Sequence, residues 1–374
     1  MKLPIMSSLF FVAGLAHAGA GVTVQSLPFQ GVNDRGVKLD DGGINTPYVT
    51  LADRKVAAKI NDHLFIALYN VMAPRNVGKT LGAADGVVIE GTVGQDFKVA
   101  RNDGRILAIA LEGEGCGAYC ESYRAFYHFD VKTGRMLDAD DLFTEKGLAA
   151  LQEKMRRERR AQYRKQLLSL RKELKAVDKK RDAKSEEAKA DLLERIALNS
   201  NCAGEGGGEE GEEAQAPSGD HKFELGATAI TLLAERCSNH AMRALDDVGE
   251  VRLALPYKAL APHLTSYGKT LLLGEGSATH GGVYGQLLRG KLGAGTAITM
   301  LIDKTPDNEV VGMVFYDKYG KPINVTGKQK GSALVLSEVD AEGVKKGEWR
   351  LVLSGERLKG RWIGSKAYDV ELAP

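Results

Sequence analysis

Four carboxylates, Glu112, Glu114, Glu121 and Asp130, surround an aromatic segment that contains Tyr123, Phe126, Tyr127 and Phe129. Paired carboxylates near aromatic rings suit glycoside hydrolysis, which needs two such groups at a defined separation, one with a raised pKa. Here the grouping is along the chain only, so a hydrolase using carboxylates near residues 116–120 is the alternative reading. Other matches fail on spacing. Gly274-Glu275-Gly276-Ser277-Ala278 has no glycine two residues after Ser277, so it is not a nucleophile elbow. Gly78-Lys79-Thr80 imitates the end of a phosphate-binding loop, but Ala73 stands where its first glycine belongs. The histidines form no HExxH or HxH pair. Asp138, Asp140 and Asp141 are followed by Leu142 and Phe143, which break a calcium loop, so helix capping accounts for them better. No catalytic residue, metal ligand or cofactor is assigned.

The cysteines are more informative. All four, Cys116, Cys120, Cys202 and Cys237, lie well inside the chain, and an even count suits disulfides in an oxidising compartment. Gly117 and Ala118 permit the sharp turn that brings Cys116 to Cys120, which leaves Cys202 for Cys237. Zinc is the rival, but no CxxC pair is present. The N-terminus agrees with export. Lys2, a mostly apolar stretch over 5–15 and Ala16-His17-Ala18 read as a signal peptide over 1–18. No later stretch is long and apolar enough for a transmembrane helix. The expected location is periplasmic or secreted.

The elements that must position these residues follow from periodicity. Val56, Ile60, Leu64, Ala67 and Leu68 recur at helical spacing over 53–69, with Asp53 or Thr50 to start the helix and Pro74 to stop it. His63 on that helix reads as structural. Strands are expected at 22–29, 87–92, 97–100 and 106–111, with Asn102-Asp103-Gly104 as a hairpin turn. Over 123–131 apolar and mixed residues alternate, so one face of that strand is buried.

Several short words in this region carry a resemblance. They are Lys59-Ile60-Asn61, Tyr127-His128-Phe129-Asp130 with Thr133-Gly134, Asp141-Leu142-Phe143, Leu255-Pro256-Tyr257 and Leu260-Ala261-Pro262-His263-Leu264. Over about 45–265 the chain resembles the exported bacterial domain of RsiV-type anti-sigma factors and PdaC-type peptidoglycan deacetylases. The resemblance implies an α+β binding domain outside the membrane, which in RsiV-like proteins recognises lysozyme. It thereby implies a lysozyme-like protein or a peptidoglycan fragment as partner.

A charged insertion, 145–220, splits that domain. Residues 154–184 hold fourteen Lys/Arg against four Asp/Glu. Leu167, Leu170, Leu174 and Val177 form one apolar stripe, and Leu192, Leu193 and Ile196 a second, as two helices of a coiled-coil-like hairpin would. An acidic low-complexity loop follows over 204–219. The basic helix has two readings, a solvated hairpin or a site for an anionic envelope polymer; nucleic acid is not an expected partner. After a glycine-rich linker, eight short segments separated by turn signals between 283 and 374 predict a meander or small barrel. Tyr284, Tyr316, Trp349 and Trp362 should pack inside it or at its mouth.

The expected fold is α+β: a signal peptide (1–18), an antiparallel sheet with packed helices over 19–273, and an all-β domain over 283–374. The expected function is non-enzymatic binding in the cell envelope. Glu114, Tyr119, Glu121 and Arg124 are the ligand-binding candidates, pre-ordered by the Cys116–Cys120 link.

Overall fold

The computed structural model describes residues 21–34, 36, 38–39, 43–179, 183–205, 222–340 and 343–374. The expected signal peptide and most of the acidic loop lie outside these residues. The chain divides into two compact units, one of Met1–Met136 with His280–Pro374 and one of Leu137–Thr279. The architecture is mixed α+β with antiparallel sheets and a closed C-terminal barrel.

In the first unit, β1 (Thr23–Pro28) pairs antiparallel with β2 (Asn45–Thr50), a strand the sequence reading did not anticipate. Helix α1 (Arg54–Tyr69) begins at Asp53, whose carboxylate accepts from Lys55 N and Val56 N. It ends at Asn70, which adopts φ 55° and donates to the Ile66 carbonyl. This left-handed cap, and not Pro74 four residues later, stops the helix. Ile60, Leu64 and Phe65 pack against Leu107, Ile109 and Phe129. Asn61, on the same helix, serves β2: its amide accepts from Val49 N at 2.7 Å and donates to Val49 O at 2.8 Å. A side chain thus completes hydrogen bonding where no neighbouring strand does.

Strands β3 (Thr92–Asn102), β4 (Ile106–Cys116) and β5 (Cys120–Asp130) form a three-stranded meander. The Asn102-Asp103-Gly104 turn joins β3 to β4, with the Asp103 carboxylate accepting from Arg105 N and Ile106 N. The strand expected at 87–92 is absent. Val87 and Ile89 are buried but lie in an irregular segment that enters β3 at Thr92. Apolar burial without a ladder explains the misreading.

The barrel closes in the order β9 (Leu287–Leu292), β10 (Thr296–Lys304), β11 (Glu309–Tyr316), β12 (Pro322–Lys330), β13 (Ala333–Val339), β14 (Lys345–Ser354), β15 (Arg357–Ile363) and β16 (Ala367–Ala373), with β16 pairing back onto β9. Inward apolar positions alternate with outward ones, many of them charged. Leu288, Met300, Val314, Val325, Leu336, Trp349 and Leu372 fill the interior. Arg357 and Lys359 reach Glu371 across the outside at 2.9 and 3.1 Å, and Arg361 reaches Asp369 at 3.2 Å. That is the inverse of a lipid-facing barrel. No described helix is long and apolar enough to cross a membrane. Closure at this small diameter needs glycine at inward positions. A Cβ on Gly327 would lie 1.9 Å from the Val335 carbonyl oxygen, and Gly290, Gly312 and Gly360 are equally tight against neighbouring strands. Tyr284 precedes β9 and is not on a strand; its hydroxyl donates to Gln329 Oε1 at 2.6 Å.

The barrel and the N-terminal part of this unit share a core, in which Ile66 and Met72 meet Leu287 and Phe315. Beside it Asp62, with a fully buried side chain, binds Arg75 through two bonds of 2.8 and 2.9 Å and Arg289 of β9 through one of 2.6 Å. Burial pushes the Asp62 pKa up, against the two guanidinium groups that pull it down. Next to it His63 is held neutral, its pKa lowered to about 3 by burial and by Arg135, Lys59 and Arg289.

The second unit is built on β6 (Phe223–Leu225), β7 (Ala229–Ala234) and β8 (Val251–Pro256) with helices around them. The acidic run caps a four-residue helix, α2 (Ala139–Leu142), through Asp138 N donating to Asp141 Oδ2 at 2.9 Å. The long helix α3 (Glu145–Val177) has its own cap, Thr144, which accepts from Gly147 N. Helix α4 (Ala183–Ala203) completes the predicted hairpin. Leu167, Leu170 and Leu192 are buried as expected, whereas Leu193 is 47% exposed. Short α5 (Tyr257–Leu260) and α6 (Ser266–Leu273) close the unit.

Both disulfides form. Cys116 joins Cys120 at the end of the β4–β5 hairpin, and Cys202 on α4 joins Cys237 beyond β7.

Candidate functional site

The β4–β5 hairpin sets the geometry of the predicted site. Its register places Glu112 opposite Arg124, Gly113 opposite Tyr123, Glu114 opposite Ser122, Gly115 opposite Glu121 and Cys116 opposite Cys120. Directly opposed residues share a face. Glu112, Glu114, Arg124 and the disulfide therefore lie on one face, and Glu121 lies on the other with Tyr123. Arg124 Nε donates to Glu112 Oε1 at 3.1 Å. Tyr119 stands in the turn, 68% exposed, and residues 117–122 are exposed throughout. Three of the four candidates thus surround the closed end, while Glu121 points away from Glu114 and Arg124.

A polar chain fixes the base of this tip. Tyr123 lies over Gly113, where a Cβ would fall 2.5 Å from the tyrosine hydroxyl oxygen. That hydroxyl donates to Gln95 Oε1 at 3.3 Å, and Gln95 Nε2 reaches the Tyr69 hydroxyl at 3.2 Å. Tyr69 in turn bonds Thr46. On the other edge Cys116 N donates to the Gly91 carbonyl at 2.7 Å. Bulk at 113 would displace the tyrosine, which is why glycine interrupts an otherwise regular strand.

The carboxylates do not converge. Asp130 pairs with Ile106 at the opposite end of β5 and is buried, accepting from Lys132 N at 2.8 Å and Thr133 Oγ1 at 2.9 Å. Eight strand positions separate it from the partner of Glu114, about 26 Å at 3.3 Å per residue. A glycosidase pair needs about 5–9.5 Å. Asp130 shapes a turn, and Glu112 is committed to Arg124.

A second cluster closes one end of the barrel. Leu334, Leu336 and Glu338 alternate inward on β13, so Glu338 occupies a core position, 3% exposed. Its Oε1 accepts from Trp349 Nε1 at 3.1 Å. The Trp362 indole N–H faces the same carboxylate outside hydrogen-bond geometry. Trp362 stacks on Tyr368 at 6.0 Å and meets Trp349 edge-on at 6.5 Å. Burial raises the pKa of Glu338, and burial together with Glu338 holds Tyr316 at about 12. The sequence reading named Tyr316, Trp349 and Trp362 but missed Glu338 and Tyr368. The signal for Glu338 was a charged residue at inward parity in a strand that otherwise alternates cleanly.

Elsewhere the sequence motifs resolve into structure. Asp138, Asp140 and Asp141 bring their oxygens within 4.8 Å of one another as part of the α2 cap. Gly78-Lys79-Thr80 lies in irregular chain followed only by a three-residue 3-10 turn, Ala83–Asp85, and not by the α-helix of a phosphate-binding loop.

No protein-family model matches the chain, and no curated protein matches it. Among solved structures, a member of the DUF3298 family from Bacteroides fragilis is similar over 67% of this chain and 96% of its own, with 16% identity and a TM-score of 0.39. A DUF3298 family protein from Pseudomonas aeruginosa is similar over 65% of this chain and 94% of its own, with 14% identity and a TM-score of 0.33.

Proposed function

We propose that this protein is an exported, non-enzymatic binding protein of the cell envelope whose contact surface is the disulfide-closed end of the β4–β5 hairpin. The observation that carries the reading is Tyr119, 68% exposed in a three-residue turn closed by Cys116–Cys120. A large amphipathic ring held on a covalently closed turn loses little conformational freedom on binding. Glu112, Glu114 and Arg124 frame it with charge, and Glu121 adds an acid on the other face. A protruding acidic end suits the cleft of a protein partner better than it suits a glycan, which calls for a groove. With the sequence resemblance, this favours a lysozyme-like hydrolase over a peptidoglycan fragment. Two disulfides support export to an oxidising compartment.

The test is binding of purified protein to lysozyme and, separately, to muropeptides by titration calorimetry. Tyr119→Ala with Arg124→Ala should weaken lysozyme binding at least about tenfold, since exposed aromatic and arginine anchors dominate such contacts. Unchanged affinity in the double variant overturns the site. Clearing of peptidoglycan in a zymogram overturns the non-enzymatic reading.

A further inference from the structure

We propose that the second unit carries a binding groove for a single-chain anionic amphiphile of the fatty-acid type. The groove runs between the N-terminal half of α3 and strands β6 and β7, and the space in and above it, open solvent included, amounts to ≈ 700 Å³. Its floor is apolar: Phe143, Leu151, Met155, Phe223, Ile230 and Leu232. Its rim carries Arg156, Arg159 and Lys222 and no acidic residue.

Two of these cations are already neutralised. Arg156 pairs with Glu153 at 2.8 Å, and Lys222 pairs with Glu235. Arg159 forms no ion pair among the described residues, and its Nε is buried without a hydrogen-bond partner. A planar guanidinium with an unmet donor beside an apolar trough offers a site for a carboxylate head, with the alkyl chain along the floor.

The groove is held open by the packing on either side of it. At one end Thr144 N donates to the His263 carbonyl at 2.9 Å, and Gly147 approaches so closely that a Cβ would fall 2.3 Å from the same oxygen. At the other end Tyr163, fully buried, donates to Asp246 at 3.0 Å and accepts from Cys237 N at 3.0 Å. The sixteen helical steps from 147 to 163 span about 24 Å between these two fixed points. These two points fix the helix at either end of the groove. The chain's own acidic segment is a poor occupant, because residues 204–220 contain no apolar side chain larger than alanine and proline.

Titration calorimetry with octanoate, decanoate and dodecanoate below their micelle concentrations tests the proposal. Affinity should rise roughly fourfold per added methylene, and butyrate should show no saturable binding. Decyltrimethylammonium, equal in chain but opposite in charge, should bind at least about tenfold more weakly than decanoate. Arg159→Gln should lose about tenfold in decanoate affinity and little for the cationic amphiphile. Met155→Trp, which fills the trough from the half-buried helix face, should abolish both while far-UV circular dichroism and Cys202–Cys237 formation stay unchanged. No saturable decanoate binding overturns the proposal, as does equal binding of the two decyl amphiphiles. Binding that appears only after deletion of 206–219 assigns the groove to that segment and also overturns it. Capture by phosphatidylglycerol vesicles that decanoate does not compete assigns the face to a membrane surface and overturns it as well.

Discussion

The closed end of the β4–β5 hairpin and the closed end of the barrel use the same residue types to opposite ends. Each sets glutamate beside aromatic rings. At the hairpin, Glu112 is exposed and answered by Arg124, and Tyr119 projects into solvent. In the barrel, Glu338 is buried and answered by an indole N–H, and Trp362 stacks on Tyr368. The difference lies in what surrounds them. Beyond residue 116 the hairpin runs out into solvent, and residues 117–122 are exposed throughout. The barrel has no free edge, and at its core position Glu338 is enclosed and its interactions go to the fold.

Steric tolerance separates the two regions most sharply. Gly327→Ala forces a Cβ to within 1.9 Å of the Val335 carbonyl, and only separation of β12 from β13 relieves it. Its expected cost exceeds about 3 kcal/mol in a denaturant titration, or the barrel fails to fold. Gly117→Ala in the hairpin turn meets nothing within 4 Å and should change stability by less than about 0.5 kcal/mol. Equal effects at the two positions would break the comparison by showing that the inward register of β12 is wrong.

Covalent closure gives the next largest effect. Cys116→Ser with Cys120→Ser removes a link of sequence separation 4, and loop entropy caps its stability contribution at about 2 kcal/mol. The β4–β5 ladder already brings the two residues opposite each other, so the measured loss should be smaller than that cap. Lysozyme binding, if the hairpin end is the contact surface, should fall further than stability does. A stability loss well beyond the cap would mean that the link holds more than its own turn, and the contrast with the barrel would narrow.

How far each region was legible in the sequence follows the same division. The barrel's strands were readable because each is short, alternates with period two and is bounded by Gly, Asn or Asp turns, as in Pro306-Asp307-Asn308 before β11. The helix inside 53–69 was readable from Ile60, Leu64 and its aspartate cap. Strand β2 was not, because Asn45-Thr46-Pro47 carries turn-forming residues and its ladder is completed by a side chain, Asn61, sixteen positions after Asn45. The segment 87–92 misled in the other direction, since burial of Val87 and Ile89 comes from loop packing. In the hairpin, spacing predicted the Cys116–Cys120 link but not that Glu121 would face away from Glu114. One step in register decides that, and no local signal specifies register at an exposed strand end. The salt link of Asp62 with Arg289 joins residues 227 positions apart, beyond the reach of any local pattern.

The smallest effect separates the two glutamates by protonation. Glu338→Gln keeps the shape and the oxygen that accepts from Trp349, so at acid pH, where the native carboxyl is neutral as well, the variant should lie within about 1 kcal/mol of wild type. Burial raises the folded pKa of Glu338, so its protonated form is the one the fold favours. The stability this gives is complete below the unfolded value, about 4.3. It is lost as pH rises through the folded value, because the unfolded chain then releases a proton that the native state still holds. Wild type should therefore weaken relative to Glu338→Gln between acid and neutral pH, and the gap should stop growing once the native carboxyl has ionised. Glu112→Gln removes an exposed ion pair and should cost about 0–1 kcal/mol, an effect that shrinks with added salt. Denaturant midpoints for both variants across pH and ionic strength decide the matter. A pH-independent gap at Glu338, or one that closes with salt as at Glu112, would place both carboxylates in the same kind of environment and remove the distinction between the two ends.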